Sequence, residues 1–504
     1  MLVALEARLA RGADGRIYSS TGVDGYPFWQ PYREIFDTVL VAARTDDDAA
    51  ATADGRGLVP VEGPGVRVVP LPPYDGPWGY AAVRRALDAA MRAGVASADV
   101  LCVRAPGAIA GAAWRARARR PVGVEVVGDP YDALAPGVVR GTLRPIARAV
   151  LVRELRTMCA GAAAVSYVAR TLSDRYPAGA WSTTCSDIRL EDDAFASATS
   201  VAARMVRLLA DRDVATPWHL VFVGSLAQRY KGPDVLIEAV ARCRAAGLPL
   251  TLTIVGDGRH RAALAAEAAA SGVGDVVRFT GHLAAGRAVR DVVDTADLFV
   301  LPSRTEGLPR ALLEAMARGV SGLGTRVGGI PELLPEGRLV APGDAAALAA
   351  ALTRVLADRD ALAAAAERDH ACAREYDTAH LRPRRREFFE RLRAAVDDTP
   401  PHGTGIPHGA ATAARDDRPI ARDATPAAPS ETPTTPSMSR NAAWALAGNL
   451  GYAACQWAVL IAIAKLGSAA DVGRFAPGLR GLAVLLGGVL RRPRGLALAL
   501  GLLL

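Results

Sequence analysis

Lysine is almost missing from this 504-residue chain: of 60 Lys+Arg residues, only Lys231 and Lys465 are lysines. Aromatic residues make up only 5%. The formal net charge of +8 is mild for the length, and the arginines are scattered without aromatic interleaving. That argues against a dedicated nucleic-acid binder, though not against an anionic ligand. The six cysteines, at 102, 159, 185, 243, 372 and 455, form no CxxC pair, and the seven histidines form no HxH or HExxH grouping. A structural zinc site and a disulfide framework are therefore not expected, and the thiols fit a reduced, cytosolic compartment. Residues 1–8 lack a charged segment followed by a long apolar run, so no cleaved secretory leader is expected there.

What the chain does have is apolar material: 51% of residues are hydrophobic and 22% charged. That suffices for a buried core, and the length suits two or three domains. Up to about residue 195, short apolar runs alternate with longer amphipathic ones. Strands are predicted at Met1–Leu5, Thr38–Ala42, Val66–Leu71, Asp99–Val103, Val122–Val127 and Ala162–Tyr167, with helices such as Tyr80–Ala93 and Gly141–Cys159 between them. The rhythm restarts with strands at His219–Val223, Leu250–Val255, Val276–Thr280, Leu298–Leu301 and Val320–Gly324. Helices are predicted at Asp234–Ala246, Arg259–Ser271, Arg287–Thr295 and Pro309–Arg318. Val235, Leu236, Ala239, Val240 and Cys243 would share one face of the first of these. The expectation is an α/β protein of two Rossmann-like domains, 1–200 and 201–396, each with a parallel sheet covered on both faces.

Residues 397–437 carry eight prolines and only two large aliphatics, Ile406 and Ile420, and read as a disordered linker. Residues 438–504 form an apolar tail. Its segment 442–464 has 23 residues without a formal charge. As a helix it would be about 35 Å long, enough for one membrane span. The alternative is a tail with no defined topology.

Three loops of the second domain carry candidate chemistry. Phe222-Val-Gly-Ser-Leu-Ala-Gln-Arg-Tyr-Lys231-Gly232 leads from a strand end to a helix start, where backbone N–H groups and one ammonium could hold a phosphate. Against this composition a lysine is a distinctive choice, because a compact point charge is not interchangeable with arginine. The bland alternative is a solvated lysine. Leu301-Pro-Ser-Arg-Thr-Glu306-Gly-Leu-Pro-Arg-Ala-Leu-Leu-Glu314 puts one carboxylate before a helix start and another in its second turn. Both could face one mouth and accept hydroxyls of a sugar, or be solvated helix-start charges. Gly324-Thr-Arg-Val-Gly-Gly-Ile-Pro-Glu332 could let backbone approach a ligand closely, or be a plain turn.

Taken in order, Gly224-x-Leu…Lys231-Gly232, Val255-Gly-Asp-Gly258, Phe279-Thr-Gly281, Glu306-Gly-Leu-Pro…Glu314 and Gly328-Gly-Ile-Pro-Glu332 resemble the nucleotide-sugar domain of retaining GT-B glycosyltransferases, specifically glycosyltransferase family 4. The resemblance covers about 215–395, and its E-x7-E element is complete. It implies that Lys231 meets the donor diphosphate, with Gly224 and Ser225 in the same loop. It assigns Glu306, with the amides of Gly307 and Leu308, to the donor sugar and phosphate, and Glu314 to the ribose hydroxyls. Many members carry arginine where this chain has Ser225, and Arg229 is a candidate substitute. The segment 370–396 resembles the helix that crosses back to the first domain in this fold.

The first domain resembles bacterial cell-surface polysaccharide members of the same group, through Asp14–Tyr18, Phe28–Tyr32, Val103–Gly107 and Val124–Tyr131. The resemblance implies acceptor binding here, with Glu125 and Asp129 as acceptor or catalytic candidates. Their alternatives are a buried edge carboxylate and a turn cap. Asp46-Asp47-Asp48, the one run resembling an Asp-x-Asp metal motif near a strand end, reads as solvated surface, so no metal ligand is assigned. The expectation is a metal-independent transfer from a UDP- or GDP-sugar, with no further cofactor, to a glycan or lipid-linked acceptor. Partners would include the membrane but no nucleic acid, at the cytoplasmic face of the inner membrane, or in the cytoplasm if the tail is not used. Residues 438–475 resemble the start of a polysaccharide flippase, as if fused from a neighbouring reading frame. Two competing readings are a sugar-nucleotide epimerase of the same shape and a membrane-anchored, non-catalytic scaffold of a polysaccharide export system.

Overall fold

The computed structural model describes residues 1–19, 25–48, 58–135, 144–211 and 215–397. Residues 398–504 lie outside the described residues, and with them nearly all of the expected linker, the flippase-like segment and the expected membrane span 442–464. Among the described residues no helix is long and apolar enough to cross a membrane.

The first sheet holds β1 (Leu2–Arg11), β2 (Ile17–Ser19), β3 (Val39–Asp47), β4 (Val59–Pro60), β5 (Val66–Leu71), β6 (Leu101–Ala105), β7 (Val122–Val126), β8 (Ala164–Tyr167) and β9 (Trp181–Thr184). Its parallel body runs β5-β3-β1-β6-β7-β8-β9. The far end of β1 instead pairs antiparallel with β2, which pairs with β4. That edge ribbon is absent from the sequence reading, because strands of three and two residues carry no legible period.

The second sheet holds β10 (Trp218–Val223), β11 (Leu250–Val255), β12 (Val277–Gly281), β13 (Leu298–Leu301), β14 (Gly322–Thr325) and β15 (Leu339–Val340). All are parallel, in the order β12-β11-β10-β13-β14-β15. Helices cover both faces, so the central strands read as unbroken apolar runs. The helix Pro233–Ala245 buries Val235, Leu236, Ala239, Val240 and Cys243, the face expected from their spacing. The five cysteines within the described residues are unpaired.

The helix Ala198–Leu209 serves the second half: Arg204 donates to the carbonyls of Ala296 and Asp294 there. The chain then crosses back. The helix Thr378–Asp397 buries Leu381, Phe388, Phe389 and Leu392, and its last three join the first half's core beside Tyr32 and Phe36. Both sheets lie within one compact unit.

Candidate functional site

In an open parallel sheet the strand order reverses at one point, and the loops leaving the carboxyl ends of the two strands there part to form a crevice. In the second sheet that point lies between β10 and β13. Their register pairs Leu220 with Leu298 and Val221 with Phe299. The loops that follow carry Lys231 and Glu306.

The Lys231 loop ends in Gly232, whose φ of +74° is left-handed and whose added Cβ would lie 2.1 Å from the Pro302 carbonyl oxygen. Only glycine lets the two loops approach this closely. Arg304 fastens them further. Its amide donates to the Tyr230 carbonyl at 2.6 Å, and its guanidinium donates to both oxygens of Asp234 at 2.9 and 2.8 Å.

The result is a direct pair: Lys231 Nζ donates to Glu306 Oε1 at 2.7 Å, and the Ser303 hydroxyl donates to the same oxygen at 2.8 Å. Among the described residues nothing donates to Oε2. Thr325, from the third loop, donates to the Ser303 carbonyl at 2.5 Å and completes the support. Burial alone would push the Lys231 ammonium down, but Glu306 and Tyr230 outweigh it and hold its pKa above the ordinary value.

The helix Arg310–Ala317 begins one residue later than expected, with Pro309 just before it. Glu314 and Arg310 are both exposed, and among the described residues neither side chain has a hydrogen-bonding partner. The protein crowding around Glu314 raises its carboxyl above the usual range, against the pull of Arg310 and Arg290. Arg310 also acts electrostatically on Lys231 and on Asp187 of the first half. A cation, a carboxylate and a lysine–carboxylate pair thus lie within electrostatic reach of one another. Such a set suits an anionic ligand that also bears hydroxyls.

Other expected residues are placed differently. The Gly328-Gly329 pair is not open to a ligand: the Gly329 amide donates to the Gly307 carbonyl at 2.6 Å, so it backs the second loop. Leu308 is buried. Gly307 faces the first half, where an added Cβ would lie 2.5 Å from the Val127 carbonyl oxygen. Gly224 lies beneath the Lys231 stem, and Ser225 accepts a hydrogen bond from the Ala227 amide at 3.2 Å. Arg229 is committed to Glu267, donating to its two oxygens at 3.0 and 2.5 Å.

On the first half, Glu125 accepts from Arg104 at 3.1 Å and from the Tyr32 hydroxyl at 3.1 Å. Arg104 also donates to Asp187 at 2.7 Å. Burial would raise the Asp187 carboxyl, but Arg104 and Arg310 outweigh it and hold it below the ordinary value. Asp129 caps the turn Pro130–Ala133 through the Tyr131 amide at 2.8 Å, and also accepts from Tyr176 and Arg175. Asp129 thus takes the capping position weighed for it, while Glu125 lies on the inner strand β7, half-buried and engaged by Arg104 and Tyr32. The halves touch where the Thr171 amide donates to Glu332 at 2.9 Å. Asp46 and Asp47 pair with Arg8 and Arg11 on the neighbouring strand.

Sequence reasoning passed over Ser303, Arg304, Arg310 and Asp187. Arg310 had a signal, being one turn before Glu314 on the same helix. The other three had none, because a loop's own staples have no spacing rule.

Residues 217–358 match the family described as glycosyl transferases group 1. The matched stretch lies in the half built on the second sheet. Among individual proteins, the chain is 24% identical over 341 residues to Protein CapJ of Staphylococcus aureus, covering 67% of this chain and 82% of that one. It is 37% identical over 145 residues to the putative colanic acid biosynthesis glycosyltransferase WcaL of Salmonella typhimurium, spanning only 35% of that protein's length. Among solved structures it is similar to Anabaena Alr3699/HepE in complex with UDP and glucose, with a TM-score of 0.54 at 19% identity, covering 77% of this chain and 98% of that one. Sucrose-phosphate synthase from Thermosynechococcus elongatus gives a TM-score of 0.57 at 18% identity, covering 73% and 92%. At these identities the structural likeness is one of fold.

Proposed function

We propose that this chain is a retaining, family-4-like glycosyltransferase that moves a sugar from a UDP- or GDP-sugar to a glycan or lipid-linked acceptor in cell-surface polysaccharide biosynthesis. The observation that carries the reading is the Lys231–Glu306 pair at the strand-order switch, beside the unpartnered Glu314 and Arg310. The name of WcaL, a putative colanic acid biosynthesis glycosyltransferase, supports the polysaccharide setting.

In this reading the diphosphate lies against Lys231 and Arg310, which neutralise the charge that builds on the leaving oxygen without need of a metal. Glu306 Oε2 accepts a hydroxyl of the donor sugar, and Glu314 accepts the ribose hydroxyls. The bond from the anomeric carbon to the β-phosphate oxygen breaks. The acceptor oxygen then bonds to the same face of that carbon, and its proton passes to the departing phosphate. The acceptor enters from the first half, and the enzyme works at the cytoplasmic face of the membrane.

One observation favours the scaffold reading: with serine at 225 and Arg229 held by Glu267, the first loop has one cation fewer to offer. A thermal-shift screen of UDP- and GDP-sugars, followed by assay of nucleoside diphosphate release, tests the proposal. Stabilisation by one donor with slow release supports it, since a ligand that binds only the folded state raises stability by mass action. Binding without release would favour the scaffold, and release of an interconverted nucleotide sugar without acceptor would favour the epimerase. No binding would remove the site assignment.

A further inference from the structure

The chain passes between the two halves twice, and the two crossings meet. The outgoing segment carries Arg189 and Glu191, and the returning helix Thr378–Asp397 starts beside it, with the Thr378 amide donating to the Leu190 carbonyl at 2.9 Å. Between this junction and the short helix Gln30–Arg33 of the first half lies a cavity of about 240 Å³. It shares no residue with the loops that carry Lys231 and Glu306.

The walls of this cavity are basic. Arg189, Arg382, Arg385 and Arg386 line it against Glu34 and Glu191, a surplus of two positive charges. Glu34 accepts from Arg382 at 2.9 Å, Glu191 from the Thr378 hydroxyl at 3.0 Å, and Arg386 donates to Glu390 at 2.7 Å. Among the described residues Arg189 and Arg385 form no ion pair; backbone carbonyls hold them instead. Arg189 donates to the carbonyls of Pro27, at 2.8 Å, and Phe28, and its guanidinium lies 4.9 Å over the Phe28 ring. Arg385 donates to the Ser186 carbonyl at 2.8 Å. Asp187, whose charge Arg385 also feels, is bonded to Arg104 at 2.7 Å. Burial and the like charge of Arg385 together push the Arg189 guanidinium below its ordinary value. Two repelling cations are thus fixed side by side, each with about three of its five N–H donors unused.

We propose that this cavity binds a soluble phosphate group, free or as a small phosphate monoester, between the guanidinium groups of Arg189 and Arg385. Charge selects the ligand. A phosphate monoester carries about −1.5 to −2 at neutral pH and matches the surplus, whereas a single carboxylate would leave one cation uncompensated. Its oxygens also suit the planar guanidinium fork. Size favours the ester over the free ion. The volume equals that of roughly eight waters, more than a bare phosphate fills. It falls short of the roughly 300–1,000 Å³ of pockets for larger ligands, so the organic part is small. A phosphate held there ties both crossings to the helix Gln30–Arg33 and stiffens the joint between the halves. The inference does not depend on sugar transfer, so its failure leaves the donor site standing.

The test is hydrogen–deuterium exchange of the full chain at constant ionic strength with glycerol 3-phosphate, orthophosphate or succinate, each affinity taken from calorimetric titration. With glycerol 3-phosphate at about ten times its Kd, the amides of residues 187–191 and 378–386 should exchange roughly tenfold more slowly, because opening must first release the ligand. Those of residues 225–232 should keep the free rate. Tighter binding of the ester than of orthophosphate supports the site with an ester as its ligand, and the reverse order supports it with the free ion. The double variant Arg189→Gln/Arg385→Gln should lose the slowing, and Lys231→Ala should keep it. Should the double variant fail to fold, the segment pattern and the succinate arm in the wild type still decide. Four results would overturn the proposal: no slowing over either segment; slowing confined to 225–232, which puts the phosphate on the Lys231 loop; equal slowing by succinate, which makes phosphate one dianion among others; or slowing that survives in the folded double variant.

Discussion

The Lys231 ammonium sits 2.7 Å from the Glu306 carboxylate, although 75 residues separate them in sequence. They meet because β10 and β13 are neighbours in the sheet and the loops leaving both strands turn into the same crevice. Lys231 keeps two further N–H bonds to offer, and Glu306 keeps one oxygen. The pair is thus a held charge arrangement with capacity to spare, which is what a diphospho-sugar would need.

Glu314 sets a pH dependence. Its carboxyl is raised, so between the ordinary value and the raised one the folded state holds a proton that the unfolded state has lost. Stability should fall as pH rises through that window. If ionised Glu314 accepts the ribose hydroxyls, donor affinity should rise over the same window. Calorimetric titration with the bound sugar nucleotide from pH 4 to 8 should show this. Glu314→Gln should flatten the profile and weaken binding by roughly 10-fold at the high end.

Gly232→Ala should cost about 1–3 kcal/mol in urea unfolding, because it forces a strained φ and a clash with Pro302. Gly247→Ala separates the two causes, since Gly247 has a φ of +85° with nothing near its would-be Cβ. It should cost no more than about 1 kcal/mol. Equal losses would show that the two loops do not press together.

Arg104→Ala should destabilise the fold by roughly 3–5 kcal/mol, because it strands Glu125 and Asp187 without their shared cation. Asp187 is held below its ordinary value, so its stabilising share is present above the unfolded pKa and is lost as pH falls through the folded one. Unfolding free energies of wild type and variant should therefore converge in acid. A gap that stays constant with pH would deny the coupling.

Arg229→Ala should leave donor affinity within about twofold, because its guanidinium is committed to Glu267. A tenfold loss in the same titration would mean that Arg229 swings to the diphosphate in place of the arginine missing at 225.

Long apolar runs made the interior of both sheets legible: Leu250–Val255 and Leu298–Leu301 form strands over the very residues expected. Helix periodicity located the buried face of Pro233–Ala245 for the same reason, since core burial imposes the spacing. Short edge strands such as Val59–Pro60 and Leu339–Val340 impose none. At the site, Lys231 and Glu306 were readable because a rare residue type and an ordered motif marked them. What a single residue type cannot show is prior commitment. Asp129, Glu125 and Arg229 look available in sequence and are each engaged by a partner 21 to 46 residues away or beyond. The glycine pair at 328–329, readable either as a ligand-facing backbone or as a plain turn, lies against the second loop, because a turn's neighbours are set by the fold.

The account rests most directly on Lys231. Single-turnover release of nucleoside diphosphate, measured with the sugar nucleotide that stabilises the wild type, should fall about 10²-fold in Lys231→Ala, a loss of roughly 3 kcal/mol of charge stabilisation, with the variant still folded. Release at the wild-type rate from a folded variant would contradict it.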